Sequence, residues 1–334
     1  MLNNIQNFLL SVRCSTYNHA PYIEDCMNGF CMQKTSFPFV CIILDDASTD
    51  GEPMIIKKYL KNYFVLDDKS NVIKEETDDY VLTIARHNRN PNCYFAVYYL
   101  KYNHFSINKS VIPYISKLRS NNKYNALCEG DDYWTDENKL QRQVDFMESH
   151  PECSAVSENG IELFTDTGKQ RPFSVEPARF VTVEELIAKR RFPTASVLYR
   201  KDALDEKYMS VKNKFDTMLW CFLAYKGKFY YNAIISSVYR RGSGVTVTLD
   251  PYKFAEKCEA WYLELHSLFP DSLNKKEMKQ IVIKLYIAAA NRYIKKKRIC
   301  KGIFQSYKKA IGVSPWLFVC QFFKQYHAAF RRMA

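Results

Sequence analysis

The apolar positions of the chain fall in short runs divided by polar loops. Residues 8–15 (FLLSVRCS) and 39–44 (FVCIIL) are nearly unbroken apolar stretches. They are too short for helices and predict strands covered on both faces. Between them, Pro21 suits the first turn of a helix reaching about Gln33. A second helix is expected near residues 53–63, after the polar segment DDASTDG, and a shorter strand over 81–85. Further strands are read at 124–128, 153–157, 193–200 and 233–240, and helices near 110–119, at 136–149 and at 216–224. In the helix over 136–149, Leu140, Val144 and Met147 share one side. Thr182 and Glu185 form a capping-box pattern, with Thr182 as N-cap and Glu185 at N3. Residues 88–110 follow neither period and read as an aromatic-rich excursion, a loop over the site. Buried strand, polar loop and helix in alternation predict an α/β fold with a parallel sheet.

Beyond about residue 250 the pattern turns helical. Ile281, Leu285, Ala289 and Tyr293 recur at four-residue intervals, and Phe318, Phe322, Tyr326 and Phe330 repeat that spacing after the basic run at 295–298. Two readings stand for this aromatic stripe: core packing between helices, or a face laid on an anionic membrane. Charge bears on the choice. The whole chain of 334 residues carries +12, yet residues 275–334 hold eleven Lys and four Arg against Glu277 alone, a net +14, which leaves −2 for the rest. The basic character belongs to the C-terminal region and suggests an anionic partner there.

Eleven cysteines, an odd number, are scattered singly with no C-x-x-C pair, which speaks against a zinc ribbon or a thioredoxin motif and for a reducing compartment. No signal-peptide pattern and no apolar run of about 18 residues is evident. These features predict a cytoplasmic protein, peripheral at most on the inner face of the plasma membrane.

The candidate chemistry lies at strand ends, where open parallel sheets bind ligands. The first strand ends in Ser15-Thr16-Tyr17-Asn18, the second in Asp45-Asp46, and the strand at 124–128 runs into Glu129-Gly130-Asp131-Asp132. Parallel neighbours would bring these loops to one edge, making a cleft of hydroxyls, an aromatic ring and carboxylates. Such a cleft suits a nucleoside diphosphate with Mg²⁺ or Mn²⁺, hard cations that prefer oxygen. Taken singly, Asp45-Asp46 reads equally well as an Asx turn with a helix cap, and Asp131-Asp132 as a surface turn. No Walker A sequence or G-x-G-x-x-G is present. His19 is a lone imidazole in a turn and receives no role.

SVRCSTYNHAPYIEDC, IILDDASTDG and ALCEGDDYWTDENKLQRQVDFMESHPE together resemble the family 2 inverting glycosyltransferases, over roughly residues 8–245 and through RFPTASVLYRKDAL, FDTMLWCFLAYKGKFYY and SSVYRRGSG. The resemblance implies a GT-A fold, a mixed and mostly parallel sheet flanked by helices. It implies a catalytic domain over 1–245 and a basic, aromatic helical region over 246–334. It places the nucleotide at Ser15 and Tyr17, the base at Asp46, ribose and metal at Asp131 and Asp132, with Asp132 favoured for metal, and the general base at Asp216. Related chains often carry a histidine metal ligand shortly after the strand ending VYR. Here Val238-Tyr239-Arg240 is followed by Arg241-Gly242-Ser243-Gly244, with no His, which leaves the metal's coordination open and offers Arg241 as a diphosphate contact or as a solvated loop residue.

The leading expectation is therefore sugar transfer from a nucleotide-sugar donor to a glycan or lipid-linked acceptor in surface-polysaccharide synthesis, with the C-terminal helices on an anionic membrane. Sugar-phosphate nucleotidyl transfer is the alternative, opposed by the absence of glycine in the first loop. Nucleic-acid binding through the basic tail is opposed by the near-neutral body and the carboxylate cleft. A non-catalytic relative draws no support, since Asp46, Asp132 and Asp216 are all present.

Overall fold

The computed structural model describes residues 7–67, 72–119, 121–212, 214–242, 249–295 and 300–330; of the segments singled out above, Ser243-Gly244, most of the 295–298 basic run and the side chains of Tyr326 and Phe330 lie outside the description. The chain divides into two compact units: residues 1–182, 190–209 and 222–244 form the first, and residues 183–189, 210–221 and 245–334 the second.

The first unit is built on one mixed sheet. Its centre is the parallel block of β1 (Leu10–Thr16), β2 (Phe39–Asp45), β5 (Cys93–Leu100) and β6 (Tyr124–Leu127), in the order β6-β1-β2-β5. β3 (Ile73–Glu76) and β4 (Tyr80–Arg86) extend the β5 edge antiparallel. On the other edge, the antiparallel β11 (Leu198–Arg200) separates β6 from β8 (Cys153–Phe164), and β12 (Lys228–Arg241) runs parallel to β8. Three short strands complete the sheet: β7 (Tyr133–Trp134) and β10 (Arg179–Val181) pair with β12, and β9 (Gln170–Pro172) pairs with β8.

Every residue of β2 is buried, as expected for a strand with both faces covered. The pleat sorts its side chains. Phe39, Cys41 and Ile43 join the core with α1 (Ile23–Cys31), α2 (Glu52–Tyr63) and α4 (Lys139–Ser149). Val40, Ile42 and Leu44 join the opposite core with Ile115 of α3 (Ile112–Ser116) and Leu118. Trp134 is buried, lies edge-on to Phe30 at 4.9 Å, and donates its indole N–H to the Ala195 carbonyl at 2.7 Å. Lys139 is buried beside it with Nζ 4.5 Å from the ring centroid, and desolvation pushes its ammonium down to about 8.

One sequence expectation changes here. Residues 93–100 (CYFAVYYL), read as part of an irregular excursion, form a central strand paired with β2 along its length. Its mixed aromatic pattern hides the period because both faces are buried, so alternation carries no polar half. β3 was not anticipated either; its alternation is of Lys and Glu with a single apolar residue.

The second unit is helical. It holds α5 (Val183–Ala188), the first part of α7 (Asp216–Lys226; α6, Glu206–Ser210, precedes it), then α8 (Pro251–Leu268), α9 (Lys275–Lys295), α10 (Lys301–Val313) and α11 (Pro315–Phe330). Pro251 occupies the first turn of α8, and the Asp250 carboxylate caps it by accepting from the N–H of Tyr252 and Lys253. Among the described residues, no helix is long and apolar enough to cross a membrane.

Phe95 lies at the centre of the first core, fully buried against Phe30, Tyr59 and Phe64. Phe95→Ala is expected to lower stability by about 3–5 kcal/mol in denaturant unfolding; a loss below about 1 kcal/mol would mean that β5 is not a core strand.

Candidate active site

The loops after β6, β1 and β2 meet because their strands are parallel neighbours. The backbone ladder continues past the strand ends: the Gly130 N–H donates to the Ser15 carbonyl at 3.1 Å, and the Asp46 N–H to the Thr16 carbonyl at 3.0 Å. Gly130 is required by contact. A Cβ there would sit 2.1 Å from Thr16 Oγ1 and 3.1 Å from His19 Nδ1, a spacing no other residue tolerates.

Glu52 fixes the first loop. It is fully buried in the first turn of α2, where the helix N-terminus favours a carboxylate. It accepts from the Thr16 hydroxyl, from the His19 N–H at 2.8 Å and from the Ser48 hydroxyl at 2.9 Å. Asp50 accepts from the N–H of Ala20 at 2.8 Å and of Glu52 at 3.1 Å. Asp45 accepts from the Ser48 N–H at 3.0 Å. The turn-and-cap reading of this segment thus describes Asp45 and Asp50, while Asp46 differs. Its carboxylate faces another loop and accepts from the N–H of His104 at 2.6 Å and of Phe105 at 3.0 Å. That loop is braced in turn by Asp79, which accepts from Lys109 Nζ at 2.6 Å and from the hydroxyls of Tyr102 and Tyr114.

The carboxylate pair lies at the centre. Asp132 is only 2% exposed, and its Oδ1 accepts the Arg240 N–H at 2.9 Å. Burial raises its carboxyl well above the ordinary range, and neighbouring Asp131 adds to the rise. Asp131 is partly exposed, with Oδ2 3.9 Å from His19 Nε2. Arg240, on β12, is an organiser that the sequence reading passed over for its neighbour. Its guanidinium donates to the Asp131 carbonyl at 2.9 Å and to Asp25, and lies between the rings of Tyr22 at 4.8 Å and Tyr133 at 4.5 Å. Arg241 instead pairs with Glu162 on β8, donating from Nε at 2.5 Å.

The structure therefore gathers Ser15, Tyr17, Asp46, Asp131 and Asp132 on the ends of adjacent strands. Tyr17 is exposed at 39% and Ser15 half-buried. His19, given no role from sequence, sits within this group; its proximity to Asp131 comes from chain pairing across more than a hundred residues and leaves no local signal. Asp216 is exposed at the start of α7, in the second unit. The buried thiols of Cys14 and Cys26 lie 3.9 Å apart and those of Cys26 and Cys128 4.0 Å apart; burial pushes Cys26 up and Cys128 up to about 11, so these two are apolar neighbours and not nucleophiles. Among the described residues, no three His, Cys, Asp or Glu side chains converge as a ready metal cage.

Residues 11–88 match the family described as glycosyl transferase family 2. The matched segment includes the loops after β1 and β2, and with them Ser15, Tyr17 and Asp46. Uncharacterized proteins of Mycobacterium tuberculosis and Mycobacterium bovis are 31% identical over 193 residues, 58% of this chain and 47% of theirs. The chain thus spans about half the length of these curated relatives. A Bacillus subtilis protein named as a teichuronic acid biosynthesis glycosyltransferase, TuaG, is 24% identical over 261 residues, 78% of this chain and 89% of its own. Among solved structures, Staphylococcus aureus TarS 1–349 in complex with UDP-GlcNAc matches with a TM-score of 0.55 at 16% identity, covering 92% of this chain and 80% of that one. The fold is that of the GT-A glycosyltransferases.

The site makes a prediction about pH. Desolvation raises the Asp45 carboxyl from 3.8 to about 6. Between those values the folded chain holds a proton that the unfolded chain has released, so this group makes stability fall as pH rises from about 4 to 6. Asp132, shifted the same way, adds to the slope. Asp45→Asn is expected to flatten this part of the pH–stability curve and to gain up to about 3 kcal/mol at pH 7, read by denaturant melts across that range; an unchanged slope would refute the assignment.

Proposed function

We propose that this chain transfers a sugar from a nucleoside-diphosphate donor to a hydroxyl acceptor, with inversion at the anomeric carbon, in the synthesis of a cell-surface polysaccharide or lipid-linked glycan. The observation that carries the reading is the adjacent pair Asp131-Asp132 at the end of a central parallel strand, one carboxylate buried, beside the loops of β1 and β2. The family 2 match over residues 11–88 and the names of TuaG and of the UDP-GlcNAc-bound TarS fragment support donor and pathway class.

The roles follow from chemistry. Tyr17 presents an exposed ring on which a base can stack. Asp46 and Ser15 supply polar contacts to base and nucleotide. Both Asp46 oxygens already accept backbone N–H groups, yet an ionised carboxylate has about four acceptor positions, so a base N–H can be added without breaking either bond. Asp131 and Asp132 fit a hard divalent cation: they offer oxygen donors, and Asp132 is a buried carboxylate raised by desolvation and by its neighbour, the condition a cation relieves. Mg²⁺ or Mn²⁺ held there would supply positive charge where a diphosphate leaves. An acceptor hydroxyl is a poor nucleophile at neutral pH, and an exposed carboxylate such as Asp216 can take its proton as attack proceeds. Displacement from the face opposite the leaving group inverts the configuration. Arg241, tied to Glu162, reaches a diphosphate only by exchanging that partner. In this reading residues 1–245 carry the transfer and 246–334 form the helical extension.

Asp132→Ala and Asp216→Asn are each expected to lower turnover at least about a hundredfold while the circular dichroism spectrum of the folded chain persists. The assay is nucleoside-diphosphate release across a panel of sugar nucleotides, with and without Mn²⁺. Full turnover in either variant would remove that residue from the mechanism, and turnover unaffected by chelation would remove the cation.

A further inference from the structure

The last two helices of the second unit turn different faces to packing and to solvent. α10 buries Gly302, Ser306 and Ala310, three small residues at four-residue spacing. Gly302 lies so close to α9 that a Cβ would come within 2.5 Å of the Tyr293 ring. On α11, Phe318 and Phe322 pack on Tyr307 of α10 at 6.1 and 6.0 Å. These are the first two members of the aromatic stripe visible in the sequence; half-buried, they pack toward the neighbouring helix. The exposed apolar residues are others: Phe304 at 70%, Trp316 at 73% and Phe323 at 68%, with Ile311 and Val319 also exposed. Ile311 lies seven residues after Phe304, and Phe323 seven after Trp316, so each helix shows a single apolar face. Exposed Lys301 and Lys308 share the face of Phe304, and exposed Lys324 follows Phe323.

We propose that this face of α10 and α11 is a docking surface for an anionic phospholipid bilayer. A lone exposed aromatic needs no explanation, whereas an aromatic face on two successive helices marks an interaction site. Charge selects the partner. No Asp or Glu follows Glu277, and residues 275–334 carry +14. Neither helix carries an acid, though Lys309 pairs with Glu259 of α8 at 3.4 Å; exposed Lys beside exposed Trp and Phe on each helix is complementary to a negative interface into which aromatic rings insert. A second copy of this chain would bring the same positive face against itself. The proposal stands on these helices alone and does not require the sugar-transfer reading.

The test uses the full chain, without donor, and vesicles of phosphatidylcholine containing about one-third phosphatidylglycerol, against phosphatidylcholine alone. The protein is expected to co-sediment with the anionic vesicles at low salt and to be released by high salt. Trp316→Ala/Phe323→Ala, exposed and so tolerable to the fold, should weaken partitioning about tenfold or more with an unchanged melting temperature. In a second measurement, quenching of tryptophan fluorescence by brominated acyl chains should fall on Trp316→Phe, which keeps the apolar bulk. Failure of the wild-type chain to sediment with anionic vesicles at low salt overturns the proposal. So does quenching unaltered in Trp316→Phe. Loss of self-association in the double variant by sedimentation velocity, without vesicle binding by the wild type, overturns it in favour of a second copy.

Discussion

A carboxylate taken out of water must be compensated, and Asp132 is almost wholly removed from it. The compensation is assembled from distant parts of the chain. β12 supplies the Arg240 N–H, and the Arg240 side chain fixes the Asp131 carbonyl while two aromatic rings hold the guanidinium flat. Gly130 lets the loop press onto Thr16, and Thr16 is held by Glu52 under the start of α2. Each of these residues is explicable only through the next. Arg240 serves the buried carboxylate directly, while Gly130 and Glu52 hold the neighbouring loop through Thr16. What remains uncompensated is the repulsion between the two carboxylates, and that residual positions the site to attract positive charge.

Much of this arrangement was legible in the sequence. The apolar runs of β1, β2 and β6 announced themselves, and their polar termini named Ser15, Tyr17, Asp46, Asp131 and Asp132. That their loops meet was only a condition on the sequence, which the order β6-β1-β2 fulfils. Other parts were not legible, for identifiable reasons. β5 is buried on both faces, so its pattern has no polar phase to reveal the period. His19 and Arg240 gain their meaning from residues 112 and 215 positions away, His19 beside Asp131 and Arg240 on Asp25. No local rule reports such a pairing. Glu52 reads as an ordinary first-turn acid, and only the structure shows that three donors from two loops converge on it.

The C-terminal helices show a related limit of pattern reading. Four-residue spacing identified Phe318 and Phe322 as a face, but spacing does not say whether a face looks inward or outward. The neighbouring helix decides: Tyr307 receives those two rings, and the side that is left carries Trp316 and Phe323. The same sequence holds two apolar faces on one helix, and packing assigns one of them to the interior.

The contact between Arg240 and the carboxylate loop also sets an order of events during synthesis. β1, β2, β5 and β6 emerge before residue 130 and can pair as soon as they appear. The buried carboxylate that follows them has no backbone donor until β12 is complete, more than a hundred residues later. A nascent chain arrested before Lys228 would hold the parallel block with an unsupported, water-seeking loop at its edge. Long-range closure of this kind is slow. The last strand of the first unit acts as a latch on the loop that carries Asp132.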